Sequence, residues 1–282
     1  MSESILAIVG GGRWGQLLLS ILTTMDTPFD RIVMVSKTAK RTDIEILPTL
    51  EDLFTKYFVT AAIVVNAAGQ HFETAKQLID RGIHVLIEKP IVPSLKQMQI
   101  LIDQANDKNV CIVPGLTHRF CSYIKEFSQL VAAKELPKRF IFRWSDMKNE
   151  TRHGQVKRYD HTITVAQDVM PHIWTILTLI FPNMKMSIQS CVQDNSNADL
   201  RLSMNTVEGQ VLLRRDGDSR ERFLLLEYDL DSLEYDFAEQ KPGALARQLE
   251  YYFSVIRNGK SSSHDLEDCL NSVHFTELVS SY

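Results

Sequence analysis

The sequence predicts an α/β domain built on a parallel sheet, followed by an α+β domain whose sheet is largely antiparallel. Three observations carry this. Short β-branched runs alternate with longer amphipathic stretches over the first 120 residues, a glycine-rich turn follows the first of those runs, and beyond residue 120 the pattern changes to separated strands with turn-forming residues between them. A chain of 282 residues fits one large or two modest domains. The change of texture divides it into residues 1–120 and 121–282, with the C-terminal helices able to pack back on the first domain.

Residues 5–9, 32–35, 61–66, 83–87 and 110–113 are apolar at almost every position, the pattern of strands buried on both faces. Helical spacing lies between them, clearest over 72–81 and 94–108, and a helix begins at about Arg13. The stretch 37–60 reads as irregular, broken by Pro48 before a short helical segment at 50–57. In the second half, strands are expected at 139–144, 185–192, 199–205, 209–214 and 222–228, and helices at 163–181, 243–257 and 265–281. Tyr251, Tyr252 and Phe253 read as packing residues of the penultimate helix.

Composition narrows the function. With 31 Lys+Arg against 35 Asp+Glu the net charge is −4, which offers no basic field for nucleic acid. No apolar run reaches the roughly 18 residues needed to cross a bilayer, and Ile5–Val9 is too short for a signal-peptide core, so a cytoplasmic protein is expected. Cys111, Cys121, Cys191 and Cys269 have no C-x-x-C spacing, and the histidines have no metal-ligand spacing, so buried thiols and no metal site are expected. The expected partner is a small molecule.

Gly10-Gly11-Gly12-Arg13-Trp14-Gly15 fits G-x-G-x-x-G where a strand hands over to a helix. Glycines there permit a tight turn, a close backbone approach to a pyrophosphate and close helix packing, while the helix N-terminus offers unpaired N–H groups to the anion. About 20 residues on, NAD-specific loops place a carboxylate for the ribose 2′-hydroxyl. Here the second strand ends in Ser36-Lys37, with Lys40 and Arg41 following and no carboxylate before Asp43. A hydroxyl among cations suits a 2′-phosphate, so NADP(H) is expected in preference to NAD(H).

Glu88-Lys89-Pro90 closes the fourth of these strands, and the carboxyl ends of parallel strands are where ligands sit. Asp168 and His172 stand four apart on one helical face, a carboxylate beside an imidazole suited to proton transfer. Pro171 either kinks that helix or requires its regular part to start near Asp168.

Taken together, Gly10–Gly15, Val64-Val65-Asn66-Ala67-Ala68 with Gln70-His71 and Ala75, His84–Pro90, Arg119-Phe120 and Asp168-x-x-x-His172 resemble the Gfo/Idh/MocA oxidoreductases over the whole chain. The resemblance implies a Rossmann domain joined to a domain with an open-faced sheet used for homodimer or homotetramer contacts. It implies a cofactor site at Gly10, Gly12, Arg13, Trp14, Gly15, Ser36, Lys37, Arg41, Ala67, Ala68, Gln70, His71, Glu88 and Lys89. Lys89, Asp168 and His172 are implied to surround the transferred hydride, and the Lys89–Pro90 bond to be cis. The implied reaction passes hydride between nicotinamide and a carbonyl, hydroxyl or C=N carbon, with His172 moving the proton, Asp168 orienting it and Lys89 polarising the substrate oxygen.

The chain departs from sugar-acting relatives before and between Asp168 and His172, where Thr162–Gln167 and Val169-Met170-Pro171 predict a bulkier, more apolar pocket floor. A cluster comprising Arg143, Trp144, Arg152, His153, Lys157, Arg158, Tyr159 and His161 reads either as an exposed loop or as a receiver for an anionic or aromatic substrate, with Trp144, Tyr159 and His161 as its contacts. Two rival functions stay open: an imine reductase of specialised metabolism, which Lys89 disfavours, and a catalytically silent cofactor sensor, which retention of Lys89, Asp168 and His172 disfavours.

Overall fold

The computed structural model describes residues 3–41, 43–148, 150–152, 155–156, 159–160, 162–237 and 243–282. It divides into two compact units, Met1–Gly115 with Leu245–Val273, and Leu116–Ala244 with His274–Tyr282.

In the first unit β1 (Ile5–Val9), β2 (Arg31–Val35), β3 (Glu45–Leu47), β4 (Ala61–Val64), β5 (His84–Glu88) and β6 (Ile112–Gly115) form a wholly parallel sheet in the order β3-β2-β1-β4-β5-β6. The helices between them are α1 (Arg13–Leu22), α2 (Leu50–Lys56), α3 (His71–Asp80) and α4 (Leu95–Lys108). Strand order reverses beside β1, and Val9 pairs with both Val35 and Val64, so β1, β2 and β4 end level around the crevice where such sheets bind ligands. Each strand alternates between two cores. Leu6 and Ile8 pack with Leu18, Leu19, Leu249 and Phe253, while Ala7 and Val9 pack on the other face with Leu53, Leu78 and Leu101. Burial on both faces is why these strands read as unbroken apolar runs.

Three local differences have physical reasons. β3 lies in the stretch expected to be irregular; it is a three-residue edge strand, too short to show a period. The strand expected at 61–66 ends at Val64, because the chain then turns through Asn66 into a short 3₁₀ turn, Ala68–Gln70. The last strand is displaced to Ile112–Gly115 and contains Pro114, which an edge strand tolerates because one row of its backbone groups needs no partner.

The second unit opens with α5 (Ser122–Ala132), which was not anticipated, followed by β7 (Arg139–Met147), the two-residue strands β8 (Thr151–Arg152) and β9 (Gln155–Val156), and α6 (Val165–Ile180). Then come β10 (Met186–Gln193), β11 (Asn197–Met204), β12 (Val207–Gly217), β13 (Glu221–Glu227) and β14 (Ser232–Asp236). Its sheet runs β10-β11-β12-β7-β13-β14 and is antiparallel except for the β12–β7 pair. Phe140, Phe142, Leu200, Val211, Leu213 and Leu224 face a core shared with Phe127 of α5 and Ile173 and Leu177 of α6. Alternate residues such as Arg139, Arg143 and Arg201 are exposed on the other face.

Two further helices are α7 (Ala244–Asn258) and α8 (Ser263–Ser280). Tyr252 on α7 is fully buried in the first unit and donates its hydroxyl to the carbonyls of Ala62 (3.0 Å) and His84 (2.8 Å). All four cysteines are buried and none is in a disulfide among the described residues. Among the described residues, no helix is long and apolar enough to cross a membrane.

Candidate active site

At the end of β1 the three glycines of the motif have separate causes. Gly10 has φ +129°, and a Cβ there would lie 2.5 Å from the backbone of Val65 and Asn66. A Cβ on Gly15 would stand 2.0 Å from the Gly10 carbonyl oxygen, so this position lets α1 close onto the strand. Gly12 has nothing within 4 Å and caps α1 with no side chain, leaving that helix's first N–H groups directed to whatever approaches. Gly11, an unassigned position of the motif, is also constrained: a Cβ there would meet Ser36 Oγ at 2.4 Å.

Beyond β2, Ser36 Oγ accepts the N–H groups of Thr38 (3.2 Å) and Ala39 (3.0 Å), so its own hydrogen is what it can give a ligand. A hollow of about 560 Å³ is lined by Ser36, Ala39, Lys40, Arg41, Ile46 and Pro48. Lys37 is exposed beside it. Arg41 donates to Gln16 Oε1 (3.0 Å) and forms a two-toothed ion pair with Asp43, in which Nε donates to Oδ1 at 2.7 Å. The guanidinium holds the Asp43 carboxyl below its ordinary pKa. Asp43 thus faces the cation that the sequence assigns to a 2′-phosphate.

At the carboxyl ends of β4 and β5 several buried polar atoms have no hydrogen-bond partner among the described residues: Asn66 Oδ1, Glu88 Oε1 and the indole Nε1 of Trp14. Glu88 is 5% exposed, and Gly115 leaves room for it, since a Cβ there would lie 2.6 Å from Glu88 Cα. Burial pushes the Glu88 carboxyl up to about 7, against the pull of the Trp14 indole, which does not reach hydrogen-bond geometry, and of Lys89. Glu88 Oε2 accepts the Lys89 N–H at 3.1 Å, and the Lys89–Pro90 bond is cis.

A carboxyl whose pKa is higher folded than unfolded stabilises the fold below its unfolded value, here 4.5, and loses that contribution as pH rises through 7. Wild-type stability is therefore expected to fall by about 3 kcal/mol more than that of Glu88→Gln between those limits. Urea unfolding of both proteins below pH 4.5 and above pH 7 checks this.

Ala67, Ala68 and Gln70 occupy the turn after β4, Ala67 and Gln70 being exposed. Arg13 and Trp14 open α1. His71 was expected to touch the cofactor; instead it is buried, with Nδ1 2.8 Å from the Pro90 carbonyl and Nε2 3.1 Å from the Asn66 carbonyl. Burial lowers its pKa, and a neutral ring donates its one N–H to one of the two carbonyls, while the ring packs between the ends of β4 and β5. Its place is one of positioning.

In the second unit α6 runs unbroken from Val165 to Ile180 with Pro171 inside it. It is started by a capping box in which Thr164 Oγ1 accepts the Gln167 N–H (3.2 Å) and Gln167 Oε1 accepts the Thr164 N–H (2.8 Å). Val169, Met170 and Pro171 are buried, Val169 and Met170 in the unit's core, which corrects the expectation of a bulky pocket floor; His172 is the partly exposed residue after them. Asp168 meets Arg215 at 3.6 Å. That guanidinium, 2% exposed, also donates to the carbonyls of Ile163 (3.0 Å), Thr164 (3.1 Å) and Asn195 (3.3 Å).

The imidazole of His172 has its Nδ1 3.1 Å from Nδ1 of His118 and stacks on Trp144 at 5.3 Å and 16°. The Arg222 guanidinium lies 3.9 Å from the Trp144 ring centre and pairs with buried Asp146. Trp144, expected to meet substrate, is 6% exposed, a packing surface under His172. Arg143 points to the opposite face of β7, since neighbouring strand residues alternate, so the two cannot share a pocket. Tyr159 donates to the Arg215 carbonyl and lies under that guanidinium, which splits the expected substrate cluster again. His153, Lys157, Arg158 and His161, and the Arg152 side chain, lie outside the described residues.

Sequence reasoning missed His118, Arg215, Arg222 and Asp146. His118 stands directly before Arg119-Phe120 with no spacing that ties it to His172; the arginines carried no signal, because burial and stacking across a sheet leave no local spacing. Among the described residues, no group of three or more His, Cys, Asp or Glu is placed to hold a metal ion.

The family model GFO_IDH_MocA, described as an oxidoreductase family with an NAD-binding Rossmann fold, matches residues 6–116. The uncharacterized oxidoreductase YhhX of Escherichia coli K12 is 34% identical over 73 residues, covering 26% of this chain and 21% of that protein. D-xylose 1-dehydrogenase (NADP(+)) 2 of Haloferax volcanii is 28% identical over 89 residues, covering 30% of this chain and 27% of that protein. These matches span only about a quarter of the curated relatives' own length. The structure of GenD2 from gentamicin A biosynthesis, in complex with NAD, superposes with a TM-score of 0.82 at 16% identity over 100% of this chain and 94% of that one, a likeness of fold. Residues 6–116, less than half of the chain, are thus similar to the NAD-binding Rossmann domain of the Gfo/Idh/MocA oxidoreductases.

Proposed function

We propose that this protein is a nicotinamide-dependent oxidoreductase with a preference for NADP(H), acting at a CH–OH/C=O carbon of a small metabolite. The observation that carries the reading is the division of labour at the end of β1, where Gly10 and Gly15 are packed against backbone and Gly12 opens on empty space at a helix N-terminus. Open backbone donors there fit a pyrophosphate. The partnerless buried polar atoms of Trp14, Asn66 and Glu88 fit a group that arrives with donors and acceptors of its own.

When bound, the nicotinamide supplies or takes up the hydride. Gly12 and the first turn of α1 hold the pyrophosphate, and Ala67, Ala68 and Gln70 flank the path onward. Ser36, Lys37, Lys40 and Arg41 receive the 2′-phosphate. Asp43 shares the Arg41 fork, so the preference rests on three cations and a hydroxyl against one carboxylate. Lys89 polarises the substrate oxygen, and His172 gives that oxygen its proton in reduction or removes it in oxidation. Asp168, held by Arg215, keeps a negative charge beside the first turn of the helix that carries His172. The outward face of the second sheet is the surface proposed for homodimer or homotetramer formation.

The test follows NADPH absorbance against ketosugars, keto acids and cyclic imines, with dinucleotide binding measured separately by calorimetry. Lys89→Ala and His172→Ala are expected to lower turnover roughly 10²–10⁴-fold while changing dinucleotide affinity far less. In the same titrations 2′,5′-ADP is expected to bind more tightly than 5′-AMP. Equal or tighter binding of NADH than NADPH overturns the phosphate assignment, and tight binding without turnover across the panel favours a cofactor sensor.

A further inference from the structure

We propose that His118 is a positioning residue for His172: it donates the hydrogen between the two Nδ1 atoms and so holds His172 in the tautomer that carries its hydrogen on Nε2. The inference deepens the oxidoreductase reading and rests on it for the direction of the hydrogen.

The geometry restricts the pair to few arrangements. The two Nδ1 atoms face each other at 3.1 Å, so one hydrogen lies between them and one ring must accept. The rings meet edge to face, 4.6 Å apart at 68°. Stacking on the indole holds the plane of the His172 ring, and a half-turn about Cβ–Cγ within that plane would replace Nδ1 by Cδ2 and lose the hydrogen bond to His118; the Arg222 guanidinium lies over the same indole. That guanidinium is itself fixed, donating to the carbonyls of Ser145 (2.6 Å) and Glu221 (2.6 Å) as well as to Asp146. His118 also lies edge-on to Trp144 at 5.9 Å, and it is buried. One side of the His172 ring is therefore committed.

With Nδ1 turned to His118, Nε2 is the nitrogen of His172 that can exchange a proton with a substrate oxygen. In reduction a neutral His172 delivers a proton only if Nε2 bears it, which requires the shared hydrogen to belong to His118 in the resting state. As the Nε2–H bond breaks and the new O–H bond forms, the shared hydrogen passes from His118 Nδ1 to His172 Nδ1. His172 then stays neutral in the other tautomer, and the pair is restored by the one proton that each reduction takes from the medium. In oxidation each transfer runs in reverse.

The experiment is long-range proton–nitrogen correlation NMR of the imidazoles in uniformly ¹⁵N-labelled protein, with His172→Gln assigning its signals. Wild type is expected to show His172 as a single tautomer protonated at Nε2. His118→Phe keeps a ring edge against Trp144 and removes the donor, and His172 is expected to become a mixture of tautomers, with kcat falling roughly 10- to 100-fold and KM for the dinucleotide unchanged. His118→Asn places an amide N–H near the lost Nδ1–H and is expected to restore both the single tautomer and most of kcat. A wild-type His172 protonated at Nδ1, or a tautomer unchanged in His118→Phe, overturns the proposal. Because the NMR reading needs no turnover, it decides the matter even if no substrate is found, and the wild-type spectrum decides it if His118→Phe fails to fold.

Discussion

Gly15→Ala is expected to destabilise the first unit by about 3 kcal/mol or more, whereas Gly12→Ala should leave the fold almost untouched and weaken dinucleotide binding at least roughly tenfold. The two residues stand three apart in one motif, and their surroundings decide the difference. A methyl group on Gly15 would sit 2.0 Å from the Gly10 carbonyl oxygen. That atom is backbone, on a residue at φ +129° whose own Cβ position is closed off by Val65 and Asn66, so no flexible side chain can give way. The helix must lift from the strand, opening the core formed by Leu18, Leu19 and Ile8. Gly12, by contrast, has an ordinary φ of −70° and open space around its Cβ direction. Alanine there costs about 0.5–1 kcal/mol as a poorer N-cap, but its methyl stands where a pyrophosphate would approach the first N–H groups of α1. Thermal melts and calorimetric titration with NADPH on both variants check this. The Gly15→Ala melt should fall by roughly 6–12 °C. A Gly12→Ala protein that binds dinucleotide as tightly as wild type would show that the open face of the loop is not used.

That contrast also shows how far the sequence could be read. The doubly covered sheet was legible because burial on both faces writes itself into the strands as continuous apolar runs, and the glycine turn because two steric demands and one open helix N-terminus fall at fixed spacing. Lys89 and the Asp168–His172 pair were legible as local motifs. What escaped were the elements and contacts whose cause is remote. β3 and β14 are three and five residues at sheet edges. α5 was readable, since Tyr123, Ile124, Phe127 and Val131 follow helical spacing, but it was masked by the change of texture at the same place. Trp144 looked like a ligand-facing aromatic in a basic stretch, yet alternation along β7 separates it from Arg143 and buries it. Its partner Arg222 is 78 residues away on β13, and only their register, Arg222 opposite Trp144, brings the guanidinium over the ring. Asp43 lies beyond the cations in sequence, yet a side chain two residues from Arg41 can reach back to it.

The same stack makes Arg222 consequential for the stability of the second unit. Its side chain is 2% exposed and that of its partner Asp146 4%, so the pair has been taken out of water and compensates itself through the ion pair, two carbonyls and the face of Trp144. Removing one partner takes the ion pair from the other, and Arg222→Met is expected to cost about 3–5 kcal/mol. Arg222→Lys should recover little of this, because an ammonium has no planar fork to serve Asp146 and two carbonyls while lying flat on an indole. Arg222→Met combined with Asp146→Leu should recover most of it, since the desolvated carboxylate goes with its partner. Urea unfolding of these proteins together with Asp146→Leu measures the pair directly, and additive losses in the double variant would refute the coupling. The near-ultraviolet circular dichroism of the same samples separates stability from position. If the guanidinium holds the indole beneath His172, the tryptophan signal should change in both Arg222→Met and the double variant, even where stability has returned, because neither has a cation to press Trp144 against the imidazole.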